Sequence, residues 1–327
     1  MLIADALGRV GCDLPTAEAV MARASGENFP VASRLLPARA RSHLLAIYGF
    51  ARLVDELGDA PLPAGDDGQP PGAELEVRER LAALDWLERE LDRALGGQAG
   101  ALAGGARMPD GEAALSPAVE HPLLVRLAAT VRECGLGREP FVRLIEANRM
   151  DQRVTRYETW EELRGYCSLS ADPVGELVLG VLGLATPRRI ALSDSICTAL
   201  QLTEHCQDVA EDLHRGRIYL PQEDLRRCGC EESELAGAHA GGPLRAVLAF
   251  EVARARRLFD VGRPLIAELR GRPKLAVAAF LAGGLAALQA IERARYDVLA
   301  GPPRASRARR ALALAAAVRA SRGTSAP

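Results

Sequence analysis

An all-α fold is what this sequence predicts, on three grounds. Hydrophobic residues make up 48% of the chain but aromatics only 4%. The apolar share is therefore carried by Ala, Leu and Val, which favours helix over sheet. Apolar positions recur at helical spacing along most of the 327 residues, and no alternating apolar–polar run is long enough for a strand.

The elements follow in order. A helix is expected over 35–57, starting near Pro37. The next, over 75–95, is strongly amphipathic, with apolar residues at 81, 84, 87, 91 and 95. Further helices are expected at 123–134 and 139–152. At 173–182, Asp172 reads as an N-cap with Pro173 in the first helical position. Long helices at 188–214, 243–269 and 275–299 complete the set. The apolar run 275–288 is shorter than the ~20 residues that cross a bilayer and reads as a buried helix. Two stretches, about 60–73 with four prolines and about 96–119 rich in Gly and Ala, read as surface loops of one helical domain spanning 1–327. The tail from about 302 is basic and of low complexity, and reads as a solvated last helix that frays.

Charge and cysteines exclude several classes of function. A net charge of -2 gives no broad surface for nucleic acid. Seven cysteines form no CxxC pair, so their use is that of a cytosolic protein without a zinc site. Cys228-Gly229-Cys230 is too tight to chelate alone. Residues 1–10 lack the basic-then-apolar pattern of a signal peptide. There is no GxGxxG loop and no P-loop. Arg254-Ala255-Arg256-Arg257 reads as a solvated face, with anionic membrane contact as the weaker alternative.

Chemistry concentrates in two acidic segments. Asp55 and Asp59 stand four apart, as do Asp208 and Asp212, so each pair shares a helix face. Tyr48, Arg52, Asp55 and Asp59 form a polar stripe at i, i+4, i+7 and i+11 in an otherwise apolar segment. Gln201, His205, Asp208 and Asp212 repeat that spacing. One stripe alone reads as a solvated face with a local Arg52–Asp55 pair. Two suggest facing carboxylates in a helical bundle, holding Mg²⁺ with a diphosphate.

These residues resemble a family. Ile47-Tyr48-Gly49-Phe50-Ala51-Arg52-Leu53-Val54-Asp55 with Asp59 is similar to the first motif of the squalene/phytoene synthases. Gln201-Leu202-Thr203, Asp208-Val209-Ala210-Glu211-Asp212 and Arg215-Gly216-Arg217-Ile218-Tyr219-Leu220-Pro221 look like the second. Tyr157-Glu158-Thr159-Trp160, Tyr166-Cys167 and Asp172-Pro173-Val174-Gly175 fall where the family has its middle motifs. The resemblance covers roughly 25–300. Glu27-Asn28-Phe29-Pro30-Val31-Ala32-Ser33 is similar to the start of the bacterial hydroxysqualene synthases of hopanoid biosynthesis. Gln207 points the same way, because the condensing branches usually carry Arg there.

The resemblance implies an isoprenoid synthase-type helical bundle around a deep apolar cavity. Asp55, Asp59, Asp208 and Asp212 would hold several Mg²⁺ ions bridging a diphosphate. Arg52 and Arg217 would contact its oxygens, with Tyr48 and Tyr219 as donors beside them, and Gln201 and Glu204 would line the substrate. Tyr166 would stabilise cationic charge or assist proton transfer, and Leu177, Val178, Leu182, Leu202 and the 275–288 helix would form apolar walls. Three residues depart from the family pattern. Glu204 stands where Asn is common, Asp172 replaces Asn or Gly and reads as a simple cap, and Glu56 replaces an aspartate. The implied reaction converts presqualene diphosphate and water to hydroxysqualene with release of diphosphate, and expects no NADPH. The alternatives are head-to-head condensation of two prenyl diphosphates and, lower, a non-catalytic binding or assembly protein. The implied partner is a small-molecule isoprenoid diphosphate in the cytoplasm, with no nucleic acid. Peripheral contact with the inner face of the membrane and association with neighbouring pathway enzymes stay open.

Overall fold

A computed structural model describes residues 36–59, 72–96 and 121–320. The two expected loops and the 27–33 segment lie outside the described residues. Two compact units emerge within them: one from 42–59, 72–96 and 121–152, the other from 36–41 and 153–320. Both are helical, and the single bridge of β type among the described residues joins Arg156 and Ile218.

The first unit holds α1 (Ala38–Asp59) from Ser42 onward, α2 (Ala73–Gly96), α3 (Pro122–Cys134) and α4 (Glu139–Asp151). α1 begins directly after Pro37, as expected, and buries Leu44, Ile47, Phe50, Val54 and Leu57 on one face. Phe50 meets Phe141 of α4 edge to face at 5.4 Å. α3 is bounded by local chemistry. His121 caps its start ahead of Pro122, and Gly135 ends it at φ 64°, a left-handed conformation that glycine adopts without cost. Arg138 forks onto Asp92 at 2.5 Å and Glu88 at 2.7 Å, while Arg149 reaches Asp85 at 2.6 Å. These pairs fix α4 against α2.

The second unit contains α5 (Trp160–Ser170), α6 (Asp172–Val181), α7 (Pro187–Gln207), α8 (Val209–His214), α9 (Gln222–Arg227), α10 (Gly242–Gly262), α11 (Pro264–Glu268), α12 (Gly271–Arg293) and α13 (Arg307–Ala320), with a 3₁₀ turn at Glu232–Ala236. Its spine is α7 against α10. The close approach at Gly262 requires glycine, since a Cβ there would lie 2.7 Å from the Leu192 carbonyl oxygen. α12 is apolar and long enough to cross a membrane by composition, yet two thirds of that stretch is buried in the fold. It is a core helix.

Several expectations are corrected here. The helix expected over 188–214 breaks at Asp208 (φ -103°, ψ 18°) into α7 and α8. Repulsion among Asp208, Glu211 and Asp212 at i, i+3 and i+4 disfavours a continuous helix there. The helix expected over 243–269 breaks before Pro264, which has no N–H to donate and crowds the preceding turn. α12 stops at Arg293, ahead of Arg295 and Tyr296 at φ 53° and 60°. α5 was not expected. Asp172 is no cap: it makes no capping bond and is 2% exposed. Its carboxylate accepts from Thr198 Oγ1 at 2.8 Å and from Arg164 Nη1 at 2.8 Å. α5 leads straight into α6, which leaves that side chain aimed at α7. Nor is Arg254 on a solvated face. It lies in a buried ion cluster with Asp224 and Glu251 and stacks on Trp160 at 4.7 Å.

Candidate active site

The first acidic pair belongs to the first unit. The apolar positions of α1 fix which face is buried and so aim the Tyr48–Arg52–Asp55–Asp59 stripe. Arg52 Nη1 donates to Asp55 Oδ2 at 3.3 Å, and Asn148 Nδ2 on α4 lies 3.4 Å from Asp55 Oδ1. Gly58 permits this approach, because a Cβ there would sit 2.3 Å from Asn148 Oδ1. Its carbonyl accepts from Gln152 Nε2 at 3.0 Å. The surrounding protein desolvates the Asp55 carboxyl and pushes it up to about 6. Arg52 and Asn148 oppose that rise, and Asp59 and Asp151 add to it. Water still reaches the side chain, which keeps 47% of its exposure. Tyr48 is buried and Asp59 exposed. Asn148, Asp151 and Gln152 were missed from sequence, although their i, i+3, i+4 stripe on an expected helix was a usable signal.

The second pair belongs to the second unit, and an aromatic wall stands beside it. His205 stacks on Tyr219 with centroids 4.0 Å apart and 14° between planes. Tyr166 lies 5.4 Å from Tyr219, and Tyr157 lies 5.5 Å from Tyr166 and 5.9 Å from Tyr219. The wall is held by backbone bonds: Ile218 N–H donates to Thr155 at 2.9 Å and Gln222 N–H to Tyr157 at 2.9 Å. Gln201 sits 3.3 Å from His205 Nε2, and His205 Nδ1 is 3.9 Å from Asp212 Oδ2. A recess beside the wall is lined by His205, Val209, Asp212, Ile218, Tyr219 and Leu235. Arg217 donates its backbone N–H to the Asp212 carbonyl at 2.9 Å, with its side chain half-buried. Glu204, also half-buried, lies one turn before Asp208 and accepts that residue's N–H at 2.9 Å. Leu177 and Leu202 are fully packed.

Burial pushes the Asp208 carboxyl up to about 6, reinforced by Asp212 and Glu211 and opposed by His205 and Arg304. Arg304 was not foreseen. Gln207 Nε2 donates to the Pro303 carbonyl at 2.5 Å, so the segment after α12 straps back onto the second acidic motif. Its low-complexity surroundings hid it.

The donor set suits a hard divalent cation. Each pair offers oxygens only, and crowding by like charge leaves negative charge that a cation would relieve. Buried Arg52 Nε–H, without a hydrogen-bond acceptor among the described residues, suits an anion arriving with the metal. No cluster of three or more His, Cys, Asp or Glu could hold a metal alone among the described residues. Mg²⁺ needs only one or two carboxylates, with substrate oxygens and water completing its shell.

Residues 22–311 match the model of the family described as squalene/phytoene synthase. The chain belongs to the squalene/phytoene synthase family. Members of the family are synthases that use prenyl diphosphates, generally with a divalent metal. A hydroxysqualene synthase of Rhodopseudomonas palustris is 33% identical over 245 residues, covering 75% of this chain and 72% of that one. A 15-cis-phytoene synthase of Synechococcus elongatus is 31% identical over 286 residues, covering 83% and 82%. Among solved structures, the squalene synthase HpnC of Alicyclobacillus acidocaldarius is 41% identical over 84% of this chain and 92% of that one, with a TM-score of 0.68. A ligand-bound dehydrosqualene synthase, 22% identical over 94% and 96%, shares the fold with a TM-score of 0.74. The expected isoprenoid synthase helical fold is therefore the fold of this squalene/phytoene synthase family member.

Proposed function

We propose that this protein converts presqualene diphosphate and water to hydroxysqualene and diphosphate. The observation that carries the reading is the aromatic wall of Tyr157, Tyr166, Tyr219 and His205 directly beside Asp212. It sets cation-stabilising ring faces next to carboxylates that suit metal and diphosphate. The likeness to hydroxysqualene synthases supports the same choice.

In this reading Asp55, Asp59, Asp208 and Asp212 supply the oxygens that hold Mg²⁺. When bound, the metal supplies charge neutralisation for the departing diphosphate. Arg52 adds a fixed positive charge and an unsatisfied N–H donor to the diphosphate oxygens, and Arg217 adds a second cation. Tyr48, on the stripe of the first pair, and Tyr219, in the wall beside Asp212, would each be a donor to diphosphate oxygens. The carbon–oxygen bond breaks with its electron pair leaving on diphosphate, and the resulting cation faces the ring of Tyr166. Apolar packing around the reacting carbon would exclude bulk water until rearrangement is complete. One water then forms the new carbon–oxygen bond and releases a proton. No electrons are gained or lost overall, so the step needs no hydride.

Condensation of two prenyl diphosphates is a second reading, supported by the phytoene synthase relative that matches over a longer stretch. Purified protein incubated with Mg²⁺ and presqualene diphosphate, without NADPH and in ¹⁸O-labelled water, separates the two. Labelled hydroxysqualene supports water capture. Inert presqualene diphosphate alongside consumption of farnesyl or geranylgeranyl diphosphate moves the protein to condensation.

A further inference from the structure

The last thirty residues, 298–327, contain six arginines and no Asp or Glu, in a chain whose net charge is -2. Within them α13 lies on α12 and buries Ala317 on that side. The opposite side carries Arg309, Leu312, Ala316 and Arg319 at i, i+3, i+7 and i+10, all exposed, with Leu312 at 69%. Ala308 and Ala315 widen the apolar strip, while exposed Arg310 lies on the flank nearer Ala317. An apolar strip ended by arginines is the pattern of a helix lying in a lipid interface, where long cationic side chains reach out to head groups. Arg319 Nε donates within its own helix, to the Ala315 carbonyl at 3.4 Å.

We infer that the outward face of α13 is a docking surface for an anionic lipid bilayer, and that docking there sets the second acidic motif close to the membrane. The second half follows from the strap. Pro303 is bonded to Gln207, Arg304 acts electrostatically on Asp208, and α13 begins three residues later. A bilayer suits this face better than nucleic acid. Its centre is aliphatic, and it carries no Asn or Gln to read base edges. The inference stands on charge and exposure and does not depend on which reaction the protein performs.

Each basic residue near an anionic surface contributes about fivefold to binding. The full chain is sedimented with vesicles of phosphatidylcholine alone and with vesicles containing about 30% phosphatidylglycerol, at about 0.15 M and about 0.5 M salt. The expected result is partitioning to the anionic vesicles only, released at the higher salt. Arg309→Glu/Arg319→Glu should lower it by at least about 25-fold while melting temperature and turnover of detergent-dispersed substrate stay at wild-type values. Leu312→Ser, which keeps every charge, should weaken it by about tenfold through lost apolar burial. Equal binding to neutral vesicles overturns the inference. So does wild-type partitioning by the double variant, or tighter binding to a DNA duplex than to anionic vesicles at equal salt.

Discussion

Glu251 offers a sharp test of how this fold handles charge. It is fully buried on α10, beside Asp224 of α9, and Arg254 is bonded to both carboxylates. Its Oε2 has no hydrogen-bond partner among the described residues. Burial pushes the Glu251 carboxyl up to about 8. The Asp224 carboxyl adds to that rise and Arg254 opposes it. A raised carboxyl means that the folded chain holds a proton the unfolded chain has lost. Stability from this group is therefore fully present below about pH 4.5 and is lost as pH rises through about 8. One extra bound proton gives a slope of up to about 1.4 kcal/mol per pH unit across that window. Glu251→Gln mimics the protonated state permanently. Its unfolding free energy, measured by urea denaturation from pH 5 to 9, should lack this slope, so that its margin over wild type grows by several kcal/mol toward pH 9. Parallel wild-type and variant curves would refute the shared-proton account.

Three other outcomes follow. Asp55→Asn or Asp212→Asn should lower Mg²⁺-dependent diphosphate release by at least about 100-fold with an unchanged circular dichroism spectrum; wild-type rates in either would remove the aspartates from the site. Gly262→Ala forces a methyl group into the Leu192 carbonyl and should cost about 1–3 kcal/mol in urea unfolding. Asp172→Ala leaves the fully buried Thr198 hydroxyl without its acceptor and frees Arg164, which is one-third exposed and easily rehydrated. Together these should cost about 2–4 kcal/mol, again read from urea unfolding.

Local signals carried far into this structure. The stripe of Tyr48, Arg52, Asp55 and Asp59 was legible because all four residues ride one helix whose apolar face was unambiguous. α1 to α4 lie close to where their periodicity set them. What stayed hidden depends on contacts distant in sequence. Asn148 reaches Asp55 across 93 positions and Gln207 reaches Pro303 across 96, and no periodicity reports such pairings. The break at Asp208 was invisible for a subtler reason: the bond from Asp212 N–H to the Asp208 carbonyl survives at 2.8 Å, so helical spacing persists while the axis changes. Asp172 misled because an acidic residue before proline is a strong capping pattern, which the adjoining α5 overrides. Glu251 left a readable trace. It stands seven after Leu244 and three after Leu248, on the buried face of α10, where an unmatched carboxylate announces a partner.

Because Asp208 closes α7 while Asp212 rides the six-residue α8, the gap between these carboxylates is not set by one rigid rod. α8 leans on the 3₁₀ turn at Glu232–Ala236, and Leu235 from that turn lines the same recess as Asp212. In the proposed reading, where this pair holds a divalent cation, its spacing would be set in part by a turn that carries neither carboxylate. On that reading, trimming Leu235 would change how a cation is held while leaving every aspartate in place.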